Sequence, residues 1–151
     1  MRRQAADIGD DNNSTIVRTL SIKKQLDIRF SEVDSMGVVW HGSYMLYLED
    51  AREAFGEKYD LGYLRFFDEG YYAPLVDVQL KYKHPIIYGT HPEIEITYTP
   101  TEAAKIVFDY KITDGDSLLA TAHTVQVFMD KQYNLVLGNP PFFEEWKKKW
   151  L

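Results

Sequence analysis

Tyr44, Leu48, Ala51, Phe55 and Tyr59 recur at steps of three or four, while Glu49, Asp50, Arg52, Glu53 and Glu57 fill the opposite side. That period belongs to an amphipathic helix of about four turns, roughly 25 Å long. Almost everything after Tyr71 has a period of two instead. Val76, Val78, Leu80 and Tyr82 alternate with Asp77, Gln79, Lys81 and Lys83, and Ile94, Ile96 and Tyr98 alternate with Glu93, Glu95 and Thr97. Ile106, Phe108, Tyr110 and Ile112 follow the same rule, Asp114-Gly115-Asp116 reads as a hairpin turn, and residues 118 to 129 are apolar on both faces. One long helix therefore has a sheet to pack on, but it can cover only one face. A central strand apolar on both sides needs cover on the other face too, and a second copy of the chain supplies it most simply. A homo-oligomer is expected.

The same reading places a half-buried strand at Leu26, Ile28 and Phe30, a bend from Ser31 to Gly37, and Ser43 as N-cap of the long helix. A short second helix is expected over residues 61–67, and another over residues 142–150 with Trp146 and Trp150 one turn apart. Residues 1–20 are polar and rich in Asp and Asn, so they are expected to form a flexible extension to one domain at residues 21–151. The whole chain of 151 residues, 45% hydrophobic, has enough apolar material for a core without staples.

Several function classes drop out. There is no cysteine, which removes disulfides, thiol nucleophiles and thiolate metal sites, and which accords with a cytoplasmic location. The net charge of −6 argues against nucleic acid as a partner. The Lys147-Lys148-Lys149 run follows Glu144 and Glu145 at helical spacing and reads as a self-paired, solvated face. No stretch is apolar for long enough to insert in a bilayer. His41, His84, His91 and His123 show no metal-ligand spacing, and neither a phosphate loop nor a dinucleotide fingerprint is present. Neither Ser43 nor Ser117 has the surroundings of a nucleophile elbow.

One short stretch stands apart: Asp34-Ser35-Met36-Gly37-Val38-Val39-Trp40-His41-Gly42-Ser43-Tyr44. The chain enters it from a strand and leaves it as a helix. A helix N-terminus presents unpaired N–H groups and the positive end of a dipole, both suited to a developing oxyanion. Asp34 precedes that terminus, and Gly37 lets the backbone turn sharply or lie close to a ligand. On local sequence alone the plain readings prevail: Asp34 as a turn residue, His41 as a cap and Trp40 as packing.

The stretch from Phe30 to Tyr44, with Glu49 and Ala51-Arg52 on the helix behind it, resembles the hotdog-fold acyl-CoA thioesterases of the 4-hydroxybenzoyl-CoA thioesterase-like family. The shared pattern is an Asp, two residues, a Gly, two apolar residues and an aromatic. A His or Tyr then opens the helix, with a Tyr close behind. The resemblance covers about residues 26–130 and implies an α+β hotdog fold, a long central helix wrapped by a five-stranded antiparallel sheet. It implies hydrolysis of an acyl-CoA to free acid and coenzyme A, with Asp34 as nucleophile or general base. The helix start at His41 would be the oxyanion site, its imidazole assisting. Gly37, Val38, Val39, Trp40, Tyr44, Glu49 and Lys83 are the expected substrate contacts, and Lys81 and Lys105 are further candidates for the phosphates. No cofactor is expected, since coenzyme A is part of the substrate. The partners implied are the acyl-CoA and further copies of the chain, as homodimer or homotetramer. The alternative is a non-catalytic hotdog or other cone-shaped α+β module that binds an acyl-CoA or a hydrophobic small molecule.

Overall fold

A computed structural model describes residues 19–151. The expected flexible extension, residues 1–20, falls almost wholly outside them. Strand β1 spans Ser21–Gln25, helix α1 Tyr44–Tyr59 and helix α2 Tyr63–Asp68. Strands β2 to β7 follow at Tyr71–Tyr72, Leu75–Tyr82, Glu93–Thr99, Lys105–Asp114, Ser117–Asp130 and Leu135–Val136, before helix α3 at Pro141–Trp150. The five long strands form one antiparallel sheet in the order β1-β4-β5-β6-β3. The two-residue strands β2 and β7 pair with the far end of β6. The five-stranded expectation holds for the body of the sheet.

Alternation decides which face α1 covers. Ile94, Ile96 and Tyr98 of β4, Ile106, Phe108, Tyr110 and Ile112 of β5, and Ala120, Ala122, Thr124 and Phe128 of β6 are all buried. They meet Tyr44, Tyr47, Leu48, Ala51, Phe55 and Tyr59, the buried stripe of α1. Each large apolar side chain so enclosed contributes about 1.5–3 kcal/mol. Helix α3 closes one end with Phe142, Phe143 and Trp146, and the Trp146 indole N–H donates to the carbonyl of Tyr59 at 2.5 Å. No helix among the described residues is long and apolar enough to cross a membrane.

Three expectations need correction. The alternation at Leu26, Ile28 and Phe30 does not make a strand. The ladder between β1 and β4 ends at Gln25 and Glu93, because Pro92 precedes β4 and has no N–H to offer. Leu26 turns into the core, and Phe30 opens a 3₁₀ turn with its side chain 77% exposed. Ser43 is the N-cap residue of α1 as expected, but its side chain makes no capping bond: the hydroxyl donates instead to the carbonyl of Glu32 at 3.2 Å. Nor do Glu144 and Glu145 pair with the lysine run within 4.0 Å. The Lys147 ammonium instead donates to the carbonyls of Thr101 and Ala103 and to Asn139 Oδ1, closing the turn before β5.

Strand β3 is the exception to the alternation rule. Among the described residues it pairs only with β6, and a bulge falls between Leu75 and Asp77. Val76 and Val78 stand exposed although the pattern predicts a half-buried face. At the edge of the sheet they reach beyond the cover of α1.

Candidate active site

The loop before α1 folds on itself. Asp34 N–H donates to the carbonyl of Val38 at 2.8 Å, Gly37 N–H to that of Asp34 at 3.0 Å, and Val33 bridges Val39. Gly37 sits at φ +74°, the left-handed conformation such a reversal requires and an L side chain resists. The Asp34 carboxylate takes part: Oδ1 accepts from the N–H of Met36 at 2.8 Å and of Val38 at 3.4 Å. Asp34 is thus the turn residue that local sequence favours. Its other oxygen, Oδ2, has no hydrogen-bond partner or ion pair among the described residues. The turn orients the carboxylate by one oxygen and leaves the second open.

Two neighbours fix the loop in place. Val39 N–H donates to Ile86, Tyr88 N–H donates to Gly37, and Val38 bridges Ile87, so the segment after β3 forms one wall. Glu32 forms the other. Its backbone carbonyl accepts from Trp40 N–H at 2.8 Å and from the Ser43 hydroxyl. Its carboxylate, buried, accepts from Arg29 N–H at 2.7 Å and from the Tyr47 hydroxyl at 3.2 Å. Burial and the Glu32 charge push the Tyr47 hydroxyl well above its ordinary range. One acid thus ties both ends of the loop to α1. Sequence reasoning assigned Glu32 no role. The available signal was an acid between the apolar flanks Phe30 and Val33, a poor place for a solvated charge.

Helical structure begins with a 3₁₀ turn at His41–Ser43 that runs straight into α1. Ser43 N–H bonds back to Trp40, but the N–H groups of His41 and Gly42 find no acceptor among the described residues. Those two donors, at the positive end of a helix, can hold an oxyanion. The His41 imidazole is exposed and lies 4.8 Å from the Trp40 ring, centroid to centroid. The Tyr82 hydroxyl, from the end of β3, donates to the His41 carbonyl at 3.1 Å. Tyr44 is buried, edge-on to Tyr82 at 4.8 Å, and its hydroxyl is shifted up by burial and by Tyr82. Val39 also points into the core, 6% exposed. Phe30, Met36, Trp40, Tyr82, Ile87 and Tyr88 leave an apolar rim around the loop, each about half exposed or more.

Other expected contacts lie elsewhere. Glu49 is exposed on α1 and lines a cleft of about 790 Å³ with Arg52, Phe108 and Gln126, a cleft to which neither Asp34 nor His41 contributes. At the standard rise Glu49 is about 12 Å along the helix from His41. Lys83 is exposed just past β3, its N–H bonded to Leu119. Lys81 lines a second cleft on the far face of the sheet, of about 610 Å³, together with His123 and Asp109. There His123 Nδ1 lies 2.8 Å from Asp109 Oδ1, a pair remote from the loop.

The sequence pattern of the thioesterase-like superfamily matches residues 28–151. A Bacillus subtilis protein named "Putative acyl-CoA thioesterase YneP" is 29% identical over 127 residues, 82% of this chain and 91% of its own length. The 1,4-dihydroxy-2-naphthoyl-CoA hydrolase of Synechococcus elongatus is 25% identical over 121 residues, 79% of this chain and 89% of its own. A crystal structure of a 4-hydroxybenzoyl-CoA thioesterase variant with 4-hydroxybenzoyl-CoA superposes with a TM-score of 0.72 at 21% identity, over 84% of this chain and 98% of that one. That likeness shows a shared fold.

Proposed function

This chain belongs to the thioesterase-like superfamily, and on that premise we propose that Asp34 and the first turn of α1 hydrolyse acyl-CoA thioesters. The thioester oxygen accepts from the N–H groups of His41 and Gly42. The carbonyl carbon then faces the free Oδ2 of Asp34. In one route Oδ2 attacks that carbon, the carbon–sulfur bond breaks, coenzyme A leaves as thiolate, and water hydrolyses the resulting anhydride. In the other, Oδ2 takes a proton from water as its oxygen attacks, the carbon–sulfur bond breaks, and the proton now on Asp34 passes to the departing sulfur. Either route needs no triad, because a thioester is already activated and the donors stabilise the charge that develops. The observation that carries this reading is the pairing of one uncommitted carboxylate oxygen with two uncommitted helix N–H groups. The His41 side chain, exposed beside them, is placed to assist proton transfer.

Among the described residues the site is open on one side, and its rim is apolar. The free edge of β3 runs to Tyr82, which itself touches the His41 carbonyl. A second copy docked along β3 would cover Val76 and Val78 and wall the site at the same time, so the active form is a homo-oligomer.

Thiol release from a panel of short, long and aromatic acyl-CoAs tests the activity. Turnover of at least one class is expected. Tight binding without thiol release across the whole panel would make this a binding module instead. Isotopic oxygen from labelled water appearing in the Asp34 side-chain carboxylate, and not just in the released acid, after a single turnover selects the nucleophilic route.

A further inference from the structure

The geometry points to Trp40 as the wall against which the acyl group lies, with glycine at position 42 to seat its indole. The inference rests on the thioesterase reading above and names a specificity residue within it. A Cβ built on Gly42 would collide with Cζ3, Cη2 and Cε3 of Trp40. The six-membered ring of the indole therefore lies directly on the Cα of Gly42, in the space where any other residue would begin its side chain. Gly42 carries one of the two unpartnered N–H groups, so the ring stands beside the proposed oxyanion site.

The ring is firmly rooted. Trp40 N–H donates to Glu32, and its carbonyl accepts from Ser43 N–H, which fixes the backbone on both sides. One side of the indole rests on the helical turn and the rest is open, the residue being 53% exposed. With the thioester oxygen at the His41 and Gly42 N–H groups, one of the two groups on the carbonyl carbon lies toward the ring, and the acyl carbon next to the carbonyl is assigned to that side. A flat acyl group can stack on it, whereas a branch at that carbon meets it edge-on.

The test is a double-mutant cycle on the full chain with Trp40→Leu and Gly42→Ala, measured as the ratio of kcat/KM for benzoyl-CoA to that for isobutyryl-CoA. Trp40→Leu should lower the ratio about tenfold. Gly42→Ala should lower it similarly when Trp40 is present, by displacing the ring, and change it less than about twofold when Trp40 is absent. Circular dichroism and thermal melts establish that each variant is folded. S-benzyl-coenzyme A, which cannot be hydrolysed, should shift the tryptophan emission of the parent protein and leave that of Trp40→Leu unchanged. Equal penalties for Gly42→Ala in both backgrounds, an unaltered ratio in Trp40→Leu, or an emission shift that survives the loss of Trp40 would each overturn the assignment. Should the parent hydrolyse no acyl-CoA, the thioesterase reading fails, and the emission shift alone decides whether Trp40 lines a binding site.

Discussion

Asp34 and Val38 are bonded to each other twice, once from Asp34 N–H to the Val38 carbonyl at 2.8 Å and once from Val38 N–H to Asp34 Oδ1 at 3.4 Å. The turn and the proposed reactive group are therefore one residue, and two substitutions separate them. Asn keeps the acceptor and loses the charge. Ala loses both.

Asp34→Asn should fold with the stability of the parent and lose activity by orders of magnitude. Asp34→Ala should be equally inactive and less stable by about 1 kcal/mol, the net worth of the turn bonds. Urea melts and steady-state thiol release measure the two effects. A fully active, folded Asp34→Asn variant would end the mechanism.

Tyr47→Phe removes one of the two bonds to the buried Glu32 carboxylate, and a hydrogen bond to a charged group is worth about 1.5–3 kcal/mol. A loss of that size is expected in chemical denaturation. Activity should fall as well, since Glu32 holds both ends of the loop. Glu32→Ala should be more damaging than Tyr47→Phe on both counts.

Tyr82→Phe deletes the hydroxyl that meets the His41 carbonyl but keeps the ring against Tyr44. The partly exposed bond adds little stability, so a change below about 1 kcal/mol is expected. If Tyr82 aligns the first helical turn, kcat should drop while the melting temperature holds. A parallel loss of both would make its role merely structural.

The edge of β3 offers a test of association. Sedimentation of the parent at micromolar concentration should report a dimer or larger. Val76→Lys with Val78→Lys should shift it toward monomer and reduce turnover with it. A monodisperse monomeric parent would refute the oligomer.

Alkaline pH should unfold this protein through its tyrosines. Burial raises the hydroxyls of Tyr44, Tyr47 and Tyr110, and pushes that of Tyr98 up to about 12. In the unfolded chain these groups ionise near 10, so there the unfolded state gives up protons first. Stability is then intact below pH 10 and falls as pH climbs toward the folded values. Tyrosinate absorbance from the four should appear together with the loss of circular dichroism, not before it.

The long helix, the four strands after Tyr71, the turn at Gly115 and the terminal helix were legible because each rests on a local period or a local turn residue. Where the sequence misled, a distant partner decided. Pro92 truncates the ladder at Gln25: Leu26 N–H still reaches the Pro92 carbonyl at 2.8 Å, but Pro92 has no N–H to return, and Ile28 and Phe30 lie beyond the strand. The Glu32 carbonyl lies eleven residues from Ser43, and it takes the hydroxyl that was expected to cap α1. In the candidate site, Asp34 and the helix start were marked by type and spacing. The Glu32–Tyr47 bond was not, since it joins a turn to a helix face across fifteen residues. Val76 and Val78 obey the strand pattern, yet the described residues leave them only partly covered.

The clasp that Glu32 makes between the loop and α1 has a thermal corollary. A lobe that closed only over substrate would fray first on heating and leave an inert but compact molecule. Here the turn proposed to react is bolted to the same helix that fills the interior, so loss of turnover and collapse of the whole fold should coincide within about a degree or two.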